Sequence, residues 1–104
     1  MIGTVDLVID GDGSAACAAA IVALQRGQRV LVALRSADAR AARHLRSSLL
    51  KAAGTNEGRL VVITQAEVVC ADGLDGVEAI VIRHTRTGRL SGVNASAFIS
   101  SDRR

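Results

Sequence analysis

Three short apolar runs organise the first part of the chain: Val5 to Ile9, RVLVAL from Arg29 to Leu34, and RLVVIT from Arg59 to Thr64. Their apolar character is continuous rather than alternating, which predicts strands of a parallel sheet covered on both faces. Between the first two lies DGDGS, which is turn chemistry, followed by SAACAAAIVALQRG, a strong helix former from Ser14 with Gly27 placed to end it. Between the second and third lies SADARAARHLRSSLLKAAG. Ser36 or Asp38 can cap a helix there, Gly54 closes it, Ala42, Leu45, Leu49 and Ala52 form its inner stripe, and Arg40, Arg43 and Lys51 its outer face. Residues 1–64 therefore read β-α-β-α-β.

The period then changes. AEVVCA, the turn DGLDG, VEAIVIRHT, the turn RTGRL and SGVNASAFI read as short strands joined by hairpins, an antiparallel meander over residues 65–100 and most distinctly from Glu67 to Ile99. In VEAIVIRHT, Val77, Ala79, Val81 and Arg83 share one face and Glu78, Ile80, Ile82 and His84 the other, so both faces are apolar along most of its length. Asn94 and Ser96 read as polar residues of a strand edge, His44 and His84 as surface or packing residues, and the tail after Ser100 as frayed. The expected fold class is α/β, a three-layer domain over residues 1–104 in which a small parallel sheet carries two helices and a meander.

Composition narrows what such a domain can do. The chain has 104 residues and is 49% hydrophobic, yet it lacks Pro, Trp and Tyr and has a single aromatic, Phe98. A chain of this length buries roughly 60 to 70% of its surface, so the core must come from close approach of Ala, Val, Leu and Ile in thin layers. With Phe98 as the single aromatic, functions that rest on stacking bases or on an aromatic cage are disfavoured. The net charge of +3 is carried by arginines and Lys51 interspersed with Ala and Leu, with no dense basic run, so no nucleic-acid partner is expected. Cys17 and Cys70 lie too far apart for a redox pair or a zinc set and read as buried small hydrophobes in a reducing compartment. The longest apolar stretch, Ala15 to Leu24, is too short to span a bilayer, so the expectation is a cytoplasmic protein without a membrane partner.

The candidate chemistry sits at Gly11-Asp12-Gly13-Ser14-Ala15-Ala16, between the first strand and the first helix. It fits G-x-G-x-x-A at the opening of a βαβ unit of about 30 residues. The first glycine permits a tight turn, the second lets a pyrophosphate approach the backbone, and the small last residue lets helix and strand pack closely. The helix N-terminus then offers N–H groups and a partial positive charge to phosphate.

TVDLVIDGDGSAACAAAIVALQRGQRVLVALRS resembles the opening of the FAD/NAD(P)-binding Rossmann domains of pyridine nucleotide-disulfide oxidoreductases. LRSADARAARHLRSSLL, RLVVITQAEVV and GVEAIVIRHTRTGRLSGVNASAFI follow in the order and spacing of the NADPH-binding domain of thioredoxin reductase, so the likeness spans nearly the whole chain. The resemblance implies a Rossmann-like dinucleotide-binding module. Gly11, Gly13 and Ala16 match its phosphate turn, with Asp12, Ser14 and Ala15 at the intervening positions. Where an acid would grip the ribose hydroxyls of NAD or FAD, the chain has Leu34 and Arg35, and an arginine there suits a 2′-phosphate. Arg40 falls where the family has a second phosphate-gripping arginine, and Ser36 where it has another basic residue. NADPH is accordingly the first cofactor implied and FAD the second. The resembled enzymes need a second domain and a redox disulfide, so the module would belong to a partial oxidoreductase served by a flavoprotein partner chain.

Two acids complicate this reading. A carboxylate at Asp12, about 5 or 6 Å from a phosphate at an effective dielectric near 20, costs on the order of 3 kcal/mol unless it faces solvent. The alternative is therefore a degenerate module that has lost nucleotide and acts in interaction or dimerisation, its uncovered sheet face completed by a second copy in a homo-oligomer. A third reading takes LVIDGDGS as the D-x-D-x-S/T strand end of a haloacid-dehalogenase-like phosphohydrolase, with Asp10 as nucleophile and Asp12 as general acid around Mg²⁺.

Overall fold

The computed structural model describes residues 4–35, 38–55, 59–74 and 77–100. Eight elements follow one another: β1 (Thr4–Asp10), α1 (Ser14–Gln25), β2 (Val30–Ala33), α2 (Ala39–Ala53), β3 (Leu60–Ile63), β4 (Ala66–Leu74), β5 (Val77–His84) and β6 (Leu90–Ser100). Each predicted strand and helix is present within two residues of its expected bounds, except that β4 runs three residues past Ala71, through Asp72 to Leu74, into the segment expected as a turn. Residues 75–76 of the expected turn, Ser36 and the residues after Ser100 lie outside the described residues.

All six strands form one sheet in the order β3-β2-β1-β6-β5-β4. β1 pairs in parallel with β2 (Leu7 with Val30, Asp10 with Ala33), and β2 with β3 (Val30 with Leu60). β4, β5 and β6 pair antiparallel. The strand that joins the two halves is β6. Its first part, Leu90 to Ala95, pairs with β5, while Asn94 to Ser100 run parallel to β1. Asn94 and Ser96 thus sit on a central strand, not at an edge, although both side chains are exposed.

The sheet folds over on itself. β2 and β4 are four strands apart, about 19 Å in a flat sheet, yet the Ala66 N–H donates to the Leu34 carbonyl at 3.1 Å. This closure makes two cores. On one side of the parallel strands, Leu7, Ile9, Val30, Val32 and Leu60 pack under Ala16, Ala20, Ala23 and Leu24 of α1 and Ala42, Leu49 and Leu50 of α2. On the other, Val5, Val8, Leu31 and Ala33 pack against Ala66, Ile80, Ile82, Val93 and Ala95 of the meander. The domain is thus a three-layer, Rossmann-like α/β fold. The meander covers the face for which the sequence expectation invoked a second copy. Within VEAIVIRHT only the Ile80 and Ile82 face is buried, while Ala79 is exposed and Val81 half-buried.

Two expected burials shift, on α2 and at the cysteines, and α1 divides its alanines between core and solvent. Along α1 the inner residues are Ala16, Ala20, Ala23 and Leu24, and Ala15 and Ala18 face out. On α2, Leu50 is buried and Ala52 exposed, while Ala53, eleven residues from Ala42 and so back on the inner face at about 100° per residue, packs against the core. Cys70 is exposed, as β4 is an edge strand with only its inner face covered, and Cys17 is half-buried. Val61 on the opposite edge strand, β3, is likewise 44% exposed.

Candidate functional site

β1 ends on Asp10, which is 5% exposed, and the chain leaves the sheet at Gly11. Gly11 is buried, has φ 107°, and donates its N–H to the Ala33 carbonyl at 2.9 Å. A Cβ-bearing residue rarely adopts that φ, so the first glycine of the motif is required by backbone geometry. Gly13 caps α1 at φ −62° and ψ 163°, an extended conformation open to any residue. Its value is that it carries no side chain over the helix end. Ala16, 1% exposed, lies with Ile9 and Val32 in the helix-side core, as the small third position requires. The space bounded by Ile9, Gly11, Ala16, Cys17, Val32 and Leu49 is too tight for a water molecule. Asp12, Ser14 and Ala15 are exposed around the turn. Gly13 has no side chain with which to cap α1, and the first turn of the helix holds no acid.

Asp12 faces solvent, which weakens its repulsion on a phosphate to about 1 kcal/mol at the higher effective dielectric of an exposed group. Its carbonyl accepts from the Cys17 thiol at 3.4 Å. Burial pushes the Cys17 thiol pKa up, and the Asp12 charge adds to that shift. The two acids of the phosphohydrolase reading fall in opposite environments, Asp10 inside and Asp12 outside. Among the described residues no group of three His, Cys, Asp or Glu side chains gathers as a metal set.

The end of β2 adds the second part of the site. Arg35 is exposed, and its Nε lies 3.3 Å from Glu67 Oε1 on β4. The other carboxylate oxygen accepts from Arg83 on β5, from Nε at 2.9 Å and also from Nη2. One carboxylate, 16% exposed, thus joins two half-exposed arginines beside the turn between β2 and α2. Arg40 stands on the exposed first turn of α2, in a shallow hollow shared with Arg43, His44 and Ser47. Ser36 lies outside the described residues. Elsewhere, a groove of about 880 Å³ runs between the β3–β4 connection and the β5–β6 turn, bounded by Gln65, His84, Arg86, Arg89 and Ser91. There His84 Nε2 approaches Ser91 Oγ at 3.4 Å.

Glu67 and Arg83 were not visible as site residues in the sequence. Leu74 pairs with Val77, and counting back along an unbroken hairpin sets Glu67 against His84. A bulge between Val68 and Cys70 inserts one residue and moves Glu67 opposite Arg83 instead. The available signal was an acid and a base at mirrored places in a hairpin, without the bulge that aligns them.

No family model and no curated protein matches the chain. Solved structures do match, at low identity. Thioredoxin reductase from Streptococcus pyogenes MGAS5005 aligns with 95% of this chain at 22% identity and a TM-score of 0.66. Thioredoxin reductase from Giardia duodenalis aligns with 96% at 18% identity and a TM-score of 0.66. The flavin-dependent monooxygenase PieE, solved in complex with FAD and substrate, aligns with 95% at 16% identity and a TM-score of 0.67. The chain covers 31, 31 and 30% of those three proteins respectively, so it corresponds to about a third of their length. These likenesses establish the fold, a Rossmann-like α/β domain that also occurs within these two reductases and this monooxygenase. Among the described residues no helix is long and apolar enough to cross a membrane.

Proposed function

We propose that the chain is a dinucleotide-binding module of an oxidoreductase system. The observation that carries this is the β1–α1 corner, where Gly11 at φ 107° turns the chain and Gly13, as the N-cap of α1, places no side chain over the helix end. A pyrophosphate would lie on that helix end, touching the backbone of Gly11, Asp12 and Gly13 and the first residues of α1, Ser14 to Ala16. The ribose would reach toward Arg35, with Arg40 on the first turn of α2. FAD is the dinucleotide favoured by the FAD-bound monooxygenase of the same fold, and NADPH the one favoured by an arginine after β2. The chain's share of those larger proteins supports a role as one domain, with chemistry supplied by a partner flavoprotein or by further domains.

The competing reading is a module that has lost nucleotide and serves as an interaction or self-association domain. Asp12 within the turn is the residue that favours it. Thermal shift or calorimetry with NADPH, NADH and FAD at millimolar concentration separates the two, with Asp12→Gly measured alongside. Binding by at least one dinucleotide, tightened a few-fold in Asp12→Gly, is expected; a folded protein that takes none of them in either form sinks the dinucleotide reading.

A further inference from the structure

We infer that Glu67 is the residue that sets which ribose the module accepts, by holding the charge of Arg35. The inference rests on the dinucleotide reading and deepens it. In a dinucleotide-binding βαβ unit the end of the second strand reads the ribose, an acid there taking free hydroxyls and an arginine a 2′-phosphate. This chain has an arginine at that place, but the guanidinium is already engaged, with Nε 3.3 Å from Glu67 Oε1. The acid missing from the end of β2 is delivered from β4, through a bulge that turns Glu67 to the Arg83 side of the hairpin.

The charge arithmetic of the cluster is simple: two guanidinium groups and one carboxylate leave +1 where a lone Arg35 and Arg83 would leave +2. The carboxylate also occupies the fork of donors that a 2′-phosphate would use, since Arg35 and both the Nε and Nη2 of Arg83 point at it. A phosphate arriving at Arg35 must displace or share Glu67, and two anions competing for one guanidinium repel each other. A ribose hydroxyl faces no such conflict, because a carboxylate accepts from it. The wild-type chain therefore favours dinucleotides with a free 2′-hydroxyl, FAD and NADH, over NADPH, against the preference that Arg35 alone suggests.

The test is to titrate the whole chain with NADPH, NADH and FAD by calorimetry, in the wild type, Glu67→Gln and Arg35→Ala. Neutralising Glu67 frees both arginines without shortening the side chain, and is expected to tighten NADPH roughly tenfold while NADH changes less than about twofold. Arg35→Ala in the Glu67→Gln background should remove that gain. Glu67→Asp, which draws the carboxylate back by one methylene, provides a second measurement should Glu67→Gln fold poorly, with an intermediate gain in NADPH. If the ratio of NADPH to NADH affinity is the same in wild type, Glu67→Gln and Glu67→Asp, Glu67 is not the selector, although the dinucleotide reading stands. If none of the three ligands binds any folded variant, both fall together.

Discussion

The two βα corners of the parallel half are built to the same plan and finished with opposite chemistry. In each, a strand ends at the same edge of the sheet and a helix returns over the same face. At the second corner Asp38 closes the helix, its Oδ1 accepting from the Ala41 N–H at 2.8 Å. At the first corner Gly13 occupies the equivalent place and offers no side-chain acceptor, and the first turn of α1 contains no acid. The N-cap side chain of α2 satisfies one of the helix's own N-terminal donors, whereas the N-cap residue of α1 supplies no such side-chain partner. The C-termini show no such contrast. Both helices end in a left-handed glycine, Gly27 at φ 79° and Gly54 at φ 67°, each with the backbone bonds of a Schellman cap. The two helices are thus finished alike where only stability is at stake and differ where a ligand could bind.

The largest effect is expected from breaking the first corner itself. Gly11→Val places a β-branched residue at φ 107° in a buried position, so a loss of at least about 1–3 kcal/mol is expected, together with loss of dinucleotide binding. Urea denaturation reads the first and calorimetry the second; a Gly11→Val protein of unchanged stability would mean that the corner is not held as described. A smaller and more discriminating effect comes from exchanging the caps. Asp38→Ala is expected to cost about 1 kcal/mol and leave dinucleotide affinity unchanged. Gly13→Asp, whose extended backbone accepts any residue, is expected to gain a few tenths of a kcal/mol and abolish binding. Equal effects of the two changes on affinity would erase the distinction between the corners.

Much of this contrast was legible in the sequence, and the reasons differ by element. Gly11, Gly13 and Ala16 act through backbone geometry and size, properties that a residue type fixes locally, so the turn could be placed from six letters. The order of elements followed from the change of hydrophobic period near residue 64. What could not be read was tertiary. The Leu34–Ala66 hydrogen bond that closes the sheet joins residues on strands four places apart, and no local pattern encodes it. Because that closure was hidden, the second sheet face looked uncovered and a partner copy was invoked for it. The single-residue bulge near Val69 is equally silent, yet it decides whether Glu67 meets His84 or Arg83, and with it the charge state beside Arg35. Cys70 was misplaced for a related reason: an apolar neighbourhood in sequence does not say that β4 lies at an edge.

The smallest expected effect sharpens the comparison from inside the first corner. Cys17 sits one residue beyond Ala16 in the first turn of α1 and donates its thiol hydrogen to the Asp12 carbonyl at 3.4 Å. Proximity to a helix N-terminus by itself stabilises a thiolate and lowers a thiol pKa. Here the shift goes the other way, because burial disfavours the charged form and Asp12 adds a like charge. With the pKa raised, the thiolate fraction at pH 7 to 8 is smaller than for a free cysteine, and alkylation accelerates only at higher pH. In a Cys70→Ser background the pH profile of iodoacetamide labelling at Cys17 should therefore lie above the usual thiol range. Asp12→Asn should move it down by the smaller share of the shift, since burial is the larger cause. A dinucleotide seated on the turn brings a further negative charge beside the thiol and covers it, so labelling should slow when ligand is added. A Cys17 that labels at the same rate with and without saturating ligand would place the ligand away from the α1 corner, and the two helix ends would then differ for no reason connected with binding.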